Sequence, residues 1–355
     1  MMKKAISRSN RSKAMTKQIK EMYRKAIVID CLSGPQFEKE EPTKIELKAV
    51  VSSGITAVNM TIFQSTFDLT VRDIANVQNL VYRYASHFEL VREHADILHA
   101  KRGGKLGLIL GFQGVDMIGI NLSLLDVFQK LGVRIIQLTY NTRNLLGDGC
   151  MESANAGLSN FGRAVVEHLN ELKIAIDLSH ASFQTTAEAI TASKNPIIIS
   201  HTGCRAIYNH PRNQDDQELR AVAEKGGVVG IYWMPYLGSG PGEIKKEELL
   251  HHIEHALNVC GIDHVGIGSD QSVVPSNINA DFWQRLKEDI ERRKSLGIGA
   301  SEETVDRPPL ILELNYARRM EGVALALAKR RHSTRVIERV LGGNFSRVFK
   351  EIWSN

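Results

Sequence analysis

Eight short runs of β-branched and apolar residues recur along this chain, separated by segments long enough to hold helices. They are 26–30 (AIVID), 54–60 (GITAVNM), 106–112 (LGLILGF), 133–139 (VRIIQLT), 174–179 (IAIDLS), 196–200 (PIIIS), 227–233 (GVVGIYW) and 264–269 (HVGIGS). Runs without polar alternation describe strands covered on both faces, as in parallel sheets. The intervening segments 70–100, 161–172, 184–194, 215–225 and 246–260 carry helical spacing. Eight strand–helix units predict a closed (β/α)8 TIM barrel over residues 26–355, with 310–355 supplying two or three closing helices. An open, doubly wound sheet lacks its marks, since no GxGxxG opens the first helix and no GxxxxGK[ST] occurs.

The composition, 43% hydrophobic and 24% charged, excludes disorder and coiled coil. A net charge of +5 invites a nucleic-acid reading, but it is concentrated at one end. Residues 1–25 hold nine Lys or Arg against one acid, Glu21, and the remaining chain is slightly acidic. Only Tyr23 interrupts this arm, so the aromatic interleaving of a nucleic-acid reader is missing, and a solvated leader with a first helix is expected. No apolar run has the length of a secretory signal or a membrane span. Four scattered cysteines without a CxxC pair point away from a disulfide scaffold and toward a reducing cytoplasm, with no membrane or nucleic-acid partner.

In a barrel of this kind chemistry sits at the carboxyl ends of the strands. Those positions hold Asp30 and Cys31, Gln113, Tyr140 and Asn141, His180, His201 and Asp270. Two histidines on neighbouring strands, each after a serine, together with a carboxylate, match the nitrogen and oxygen donors that Zn2+ prefers while one position stays open for water. Such an ion lowers the pKa of its water toward about 7 and polarises a carbonyl. His251, His252 and His255 form a second group on a predicted helix, but no HExxH glutamate accompanies them and a solvated face is expected.

At these residues the sequence resembles the membrane (renal) dipeptidase family, a branch of the metal-dependent amidohydrolase barrels. The resemblance runs from about Ala26 to Trp353. It is carried by GLSNFGRAVVEHLNEL (157–172) leading into DLSH (177–180), by SHTGCRAIYNHPRN (200–213), by VGIGSD (265–270) and by GGNFSRVF (342–349). It implies that His180 and His201 bind a metal, that Asp270 sits beside the catalytic water, that Arg212 grips a substrate carboxylate, and that the chain forms a homodimer. GGNFSRVF reads as a closing turn and helix.

The departures from that family fall at the site. Where it has a His-x-Asp pair after strand one, this chain has Leu32 and Gly34, and where it has a bridging glutamate, this chain has Gln113. A carboxamide oxygen brings no charge, so two divalent ions would lack the anion that offsets their repulsion. A histidine after strand four is replaced by Tyr140. The expectation is therefore a single zinc held by His180, His201 and Gln113 or water. Asp270 would act as general base, and Arg212, Tyr140 and Asn141 would contact a small carboxylate-bearing amide such as a dipeptide. The competing expectation is a metal-free barrel of the same family that binds a small carboxylate without cleaving it. Residues 274–309 look like an insertion after strand eight that covers the site or meets another subunit.

Overall fold

The computed structural model describes residues 2–354 except 240, 241, 298 and 300–302, with side chains described from residue 13 onward. Four residues of the basic arm, Lys3, Lys4, Arg8 and Arg11, therefore have side chains outside the described residues, as does part of the 274–309 segment.

The eight expected strands all form. They are β1 (Ile29–Asp30), β2 (Ala57–Ile62), β3 (Leu106–Phe112), β4 (Val133–Gln137), β5 (Ala175–Asp177), β6 (Ile198–Thr202), β7 (Val228–Ile231) and β8 (Val265–Ile267). Each pairs in parallel with the next. The Cys31 N–H donates to the Ile267 carbonyl at 2.8 Å and closes β8 onto β1. A small parallel ladder, Ser33–Gly34 against Gln271–Ser272, continues that seam past the rim.

Where the boundaries differ from expectation, caps explain it. The 54–60 run begins on Gly54, which ends helix Lys44–Ser53 at φ 75°, so β2 starts later. The helical segment expected over 70–100 is in fact two helices, Phe67–Arg83 and His94–Gly103. Between them Phe88–Leu90 pairs with Leu106–Leu108 along the edge of β3 that β4 does not reach. The helix Met2–Lys25 is more than a solvated leader. Ile19, Met22 and Tyr23 are buried in the main core, and the Tyr23 hydroxyl donates to Ser53 O at 2.7 Å.

The barrel interior is filled from its amino end. Ile29, Ala57, Ile109, Ile135, Ala175, Ile198 and Val228, one from each of β1 to β7, pack on Phe345, Val348, Phe349 and Ile352 of the closing helix Asn344–Ser354. The eighth strand contributes Gly266, where a Cβ would lie 2.4 Å from the Phe345 ring. GGNFSRVF is thus the plug of the lower mouth. With that end sealed, the carboxyl ends of the strands form the open end.

Candidate active site

Two backbone devices aim the strand-end residues. His180 and Asp270 both have left-handed backbone, φ 64° and 58°, which non-glycine residues adopt at a cost and keep where the surroundings enforce it. His201 lies inside β6 rather than beyond it, at a register shift between Ile199 and Thr202 against β7. The imidazoles meet as expected for neighbouring strands, Nε2 to Nε2 at 3.0 Å. Behind them Asp177 accepts bonds from the Ser179 and Ser200 amides (2.9 and 2.8 Å), from the Ser179 hydroxyl (2.7 Å) and from the Ser200 hydroxyl.

That network fixes both tautomers. Ser200 gives its proton to Asp177, so its oxygen accepts from His201 Nδ1–H at 2.8 Å. Asn141 Oδ1 accepts from His180 Nδ1–H at 2.6 Å. Each ring therefore turns an Nε2 lone pair toward the other. Burial pushes both imidazoles well below the usual histidine range, and the Arg212 charge adds to this, so neither is a cation. Two lone pairs at 3.0 Å repel unless a cation lies between them, and neutral imidazoles with occupied Nδ1 atoms are the donors a divalent metal selects. The donor chemistry of His180 and His201 fits a metal. Among the described residues, however, no group of three or more His, Cys, Asp or Glu could hold one, so any further ligands come from elsewhere.

Tyr140 stacks on His180 with centroids 4.1 Å apart, and Phe63 stacks on the far face of Tyr140 at 5.0 Å. Burial pushes the Tyr140 hydroxyl up, and it stays protonated. Asp270, Tyr140, Asn141, His180 and Arg212 line one cavity of about 480 Å3. His201 lies behind it, fully buried. Gln113 is not among the residues lining the cavity, and its carbonyl accepts from Gln137 Nε2 at 3.2 Å. Burial raises the Asp270 carboxyl to about 6 despite the opposing charges of Arg212 and Arg293.

Arg212 is 3% exposed, and its charge acts on the Asp270 carboxyl in the same cavity. Its guanidinium lies over the Tyr232 ring at 5.6 Å, and its charge acts on the nearby Cys150 thiol. Its loop is held tightly, the Arg212 N–H donating to His210 Nδ1 at 3.1 Å and Thr202 Oγ1 to Arg212 O at 3.1 Å. A guanidinium held this way in a cavity wall has the planar donor fork that can take a carboxylate bidentately.

The described residues of the 274–309 segment cover the site. Helix Ala280–Ser295 and residues 303–310 contribute Phe282, Leu286, Arg293, Glu303 and Arg307 to the cavity. Glu303 fixes this cover by accepting from Arg293 Nε and Nη2 (2.7 and 2.8 Å) and from the Tyr236 hydroxyl at 2.6 Å. Arg293 in turn reaches the Tyr140 hydroxyl. No spacing in the sequence marks Arg293, Tyr236 or Glu303, because the contacts join an insertion to the rim.

Two other candidates resolve plainly. Cys31 is buried in the lower core with its thiol pushed up by burial. The 251–255 histidines are not all on a solvated face. His252 is fully buried, accepting from Cys204 N–H at 2.8 Å and bonding Leu237 O at 2.7 Å, while His255 bonds Asp216.

The pattern of the family described as "Membrane dipeptidase (Peptidase family M19)" matches residues 21–294. The chain belongs to the membrane dipeptidase family. Dipeptidase tcpJ of Claviceps purpurea is 28% identical over 286 residues, 80% of this chain and 60% of that protein. Dipeptidase verJ of Clonostachys rogersoniana is 32% identical over 205 residues, 57% of this chain and 52% of that one. This family member thus spans at most about 60% of the length of these curated relatives. Among solved structures, an amidohydrolase from Pseudomonas aeruginosa superposes with a TM-score of 0.82 at 31% identity, covering 95% of this chain and 99% of that one. A Rhodobacter sphaeroides metallo peptidase, liganded with a phosphinate mimic of L-Ala-D-Ala, shares the fold with a TM-score of 0.73 at 18% identity, covering 92% of this chain and 100% of that one.

Proposed function

We propose that this protein hydrolyses an amide bond in a small carboxylate-bearing compound, such as a dipeptide, with one zinc ion per chain held by His180 and His201. The observation that carries this reading is a buried guanidinium, Arg212, in the same 480 Å3 cavity as Asp270 and His180. The fungal relatives named dipeptidases support the reaction class. A metal bound there would polarise the carbonyl and acidify water.

The chain's own groups do the rest. Arg212 binds the carboxylate and sets the amide at a fixed depth. Asp270 takes a proton from the attacking water and returns it to the leaving nitrogen, a task suited to a carboxyl raised to about 6. The protonated Tyr140 hydroxyl donates to the developing oxyanion. Asn141 holds the His180 tautomer, and the cover excludes bulk water. A cytoplasmic homodimer is the form we expect.

Elemental analysis of protein purified without chelator tests the reading, together with His180→Ala and His201→Ala and a dipeptide hydrolysis screen. Close to one zinc per chain, lost in both variants together with hydrolysis, is expected. Absence of metal after zinc is offered refutes hydrolysis and leaves a carboxylate-binding barrel.

A further inference from the structure

The inner cavity continues outward. A larger groove of about 970 Å3 adjoins it, and Gln36, Ser272, Ser276, Phe282, Leu286, Asp289 and Pro309 line both spaces. Arg212, His180 and Asp270 face only the inner one, while Phe37, Ile45, Ala49 and Val274 face only the outer one. Two capped helix starts build its walls. Thr43 and Glu46 form a capping box that places Ile45 on the first turn of helix Lys44–Ser53. Asn279 Oδ1 accepts from the Phe282 amide at 2.9 Å and starts the covering helix opposite. Ile45 is 81% exposed, a large apolar side chain held in water on the rim of a groove that leads to the site.

We propose that this groove holds an apolar acyl chain carried by the substrate, which is then an N-acylated amino acid rather than a dipeptide with a free amino terminus. The inference rests on the hydrolase reading for its orientation. With the carboxylate at Arg212 and the amide near His180, the acyl side of the scissile bond has only the outward direction to take. The acids at the junction are engaged: Glu303 by Arg293 and Tyr236, and Asp289 by Arg292 at 2.6 Å. A free ammonium would therefore compete with cations already in place, whereas a methylene chain meets Phe282, Leu286, Val274 and Ile45. In hydrolysis the acyl C–N bond breaks, the water oxygen joins the acyl carbon, and a water proton goes to the leaving amine. A carboxylic acid and an amino acid are released.

The test is calorimetric binding of N-acetyl-, N-hexanoyl- and N-decanoylglycine to the chelator-treated full chain, alongside their hydrolysis by the zinc-loaded chain. Partial burial of each methylene predicts an affinity gain of about twofold to fourfold per added carbon over the first part of the series. Ile45→Asp and Ala49→Arg, both on the outer wall, should flatten the series and leave N-acetylglycine binding unchanged. A flat series in the wild-type chain overturns the proposal, as does a gradient that survives in both variants. A gradient without hydrolysis refutes the hydrolase reading alone, and hydrolysis without a gradient refutes the groove alone.

Discussion

Replacing Arg212 with Met separates binding from stability. A buried charge costs several kcal/mol, and its place over Tyr232, worth about 1–2 kcal/mol, together with the Asp270 carboxyl in the same cavity, offsets part of that. The free protein therefore carries a net cost of about 1–3 kcal/mol at this residue. Methionine fills much of the same space without charge, so Arg212→Met should raise the unfolding free energy by about that amount. For 355 residues the unfolding entropy is about 0.7 kcal/mol per kelvin, so the Tm should rise by about 1–4 °C. Substrate pays the opposite way. Loss of a desolvated bidentate contact costs about 3–4 kcal/mol, a fall of about a hundredfold to a thousandfold in kcat/KM, most of it in KM. Differential scanning calorimetry and steady-state kinetics on the zinc-loaded chain read the two effects. A Tm that falls by several degrees would identify Arg212 as a brace of its loop and refute the reasoning.

Four further outcomes follow from the geometry. With Asp270 as base, kcat/KM should rise through an apparent pKa near 6, and Asp270→Asn should abolish that limb with the activity. Its folded value lies above the unfolded 3.8, so the stability it contributes is present below pH ~4 and lost as pH climbs through about 6; Asp270→Asn should flatten that part of a Tm–pH curve. Asp177→Asn puts an amide where four donors converge, and should weaken zinc binding by about tenfold to a hundredfold in calorimetric titration while the chain stays folded. Phe345→Ala empties the lower plug and should cost about 3–5 kcal/mol, a Tm drop of about 4–7 °C, with unchanged activity per folded molecule because the plug lies at the opposite end from the site.

The strands were legible because β1 to β8 are apolar on both faces, a pattern that survives without knowledge of neighbours. The same logic located His180 and Asp270, since a polar residue directly after a buried run must leave the barrel at its rim. It placed His201 one step too far out, because the register shift against β7 depends on pairing and leaves no trace in composition. His252 reads as a solvated residue on helical spacing alone. What buries it is the amide of Cys204 and the carbonyl of Leu237, which arrive from other elements. Arg293 and Glu303 were illegible for the same reason: an insertion folded over a rim makes contacts that no periodicity encodes.

The absence of a His-x-Asp pair after strand one has a structural counterpart that is consistent with the proposal of a single ion. Directly beyond β1, residues 31–35 do not line the cavity but run as a backbone ladder with the exit of β8. The Asp270 amide donates to Leu32 O at 2.8 Å, the Ser33 hydroxyl to Gln271 O at 2.6 Å, and the Val273 amide to Gly34 O at 2.9 Å. The remaining carboxylate at this corner, Asp30, accepts from the Ser269 amide at 2.7 Å and from the Ser269 hydroxyl, and it pairs with Arg319 at 3.2 Å. Arg319 is itself buried and lies over the Trp233 ring. A second divalent ion would thus find Asp30 paired with a fixed guanidinium and no carboxylate among residues 31–36. The ladder also ties Leu32 to Asp270, so the segment after strand one holds the residue proposed as general base.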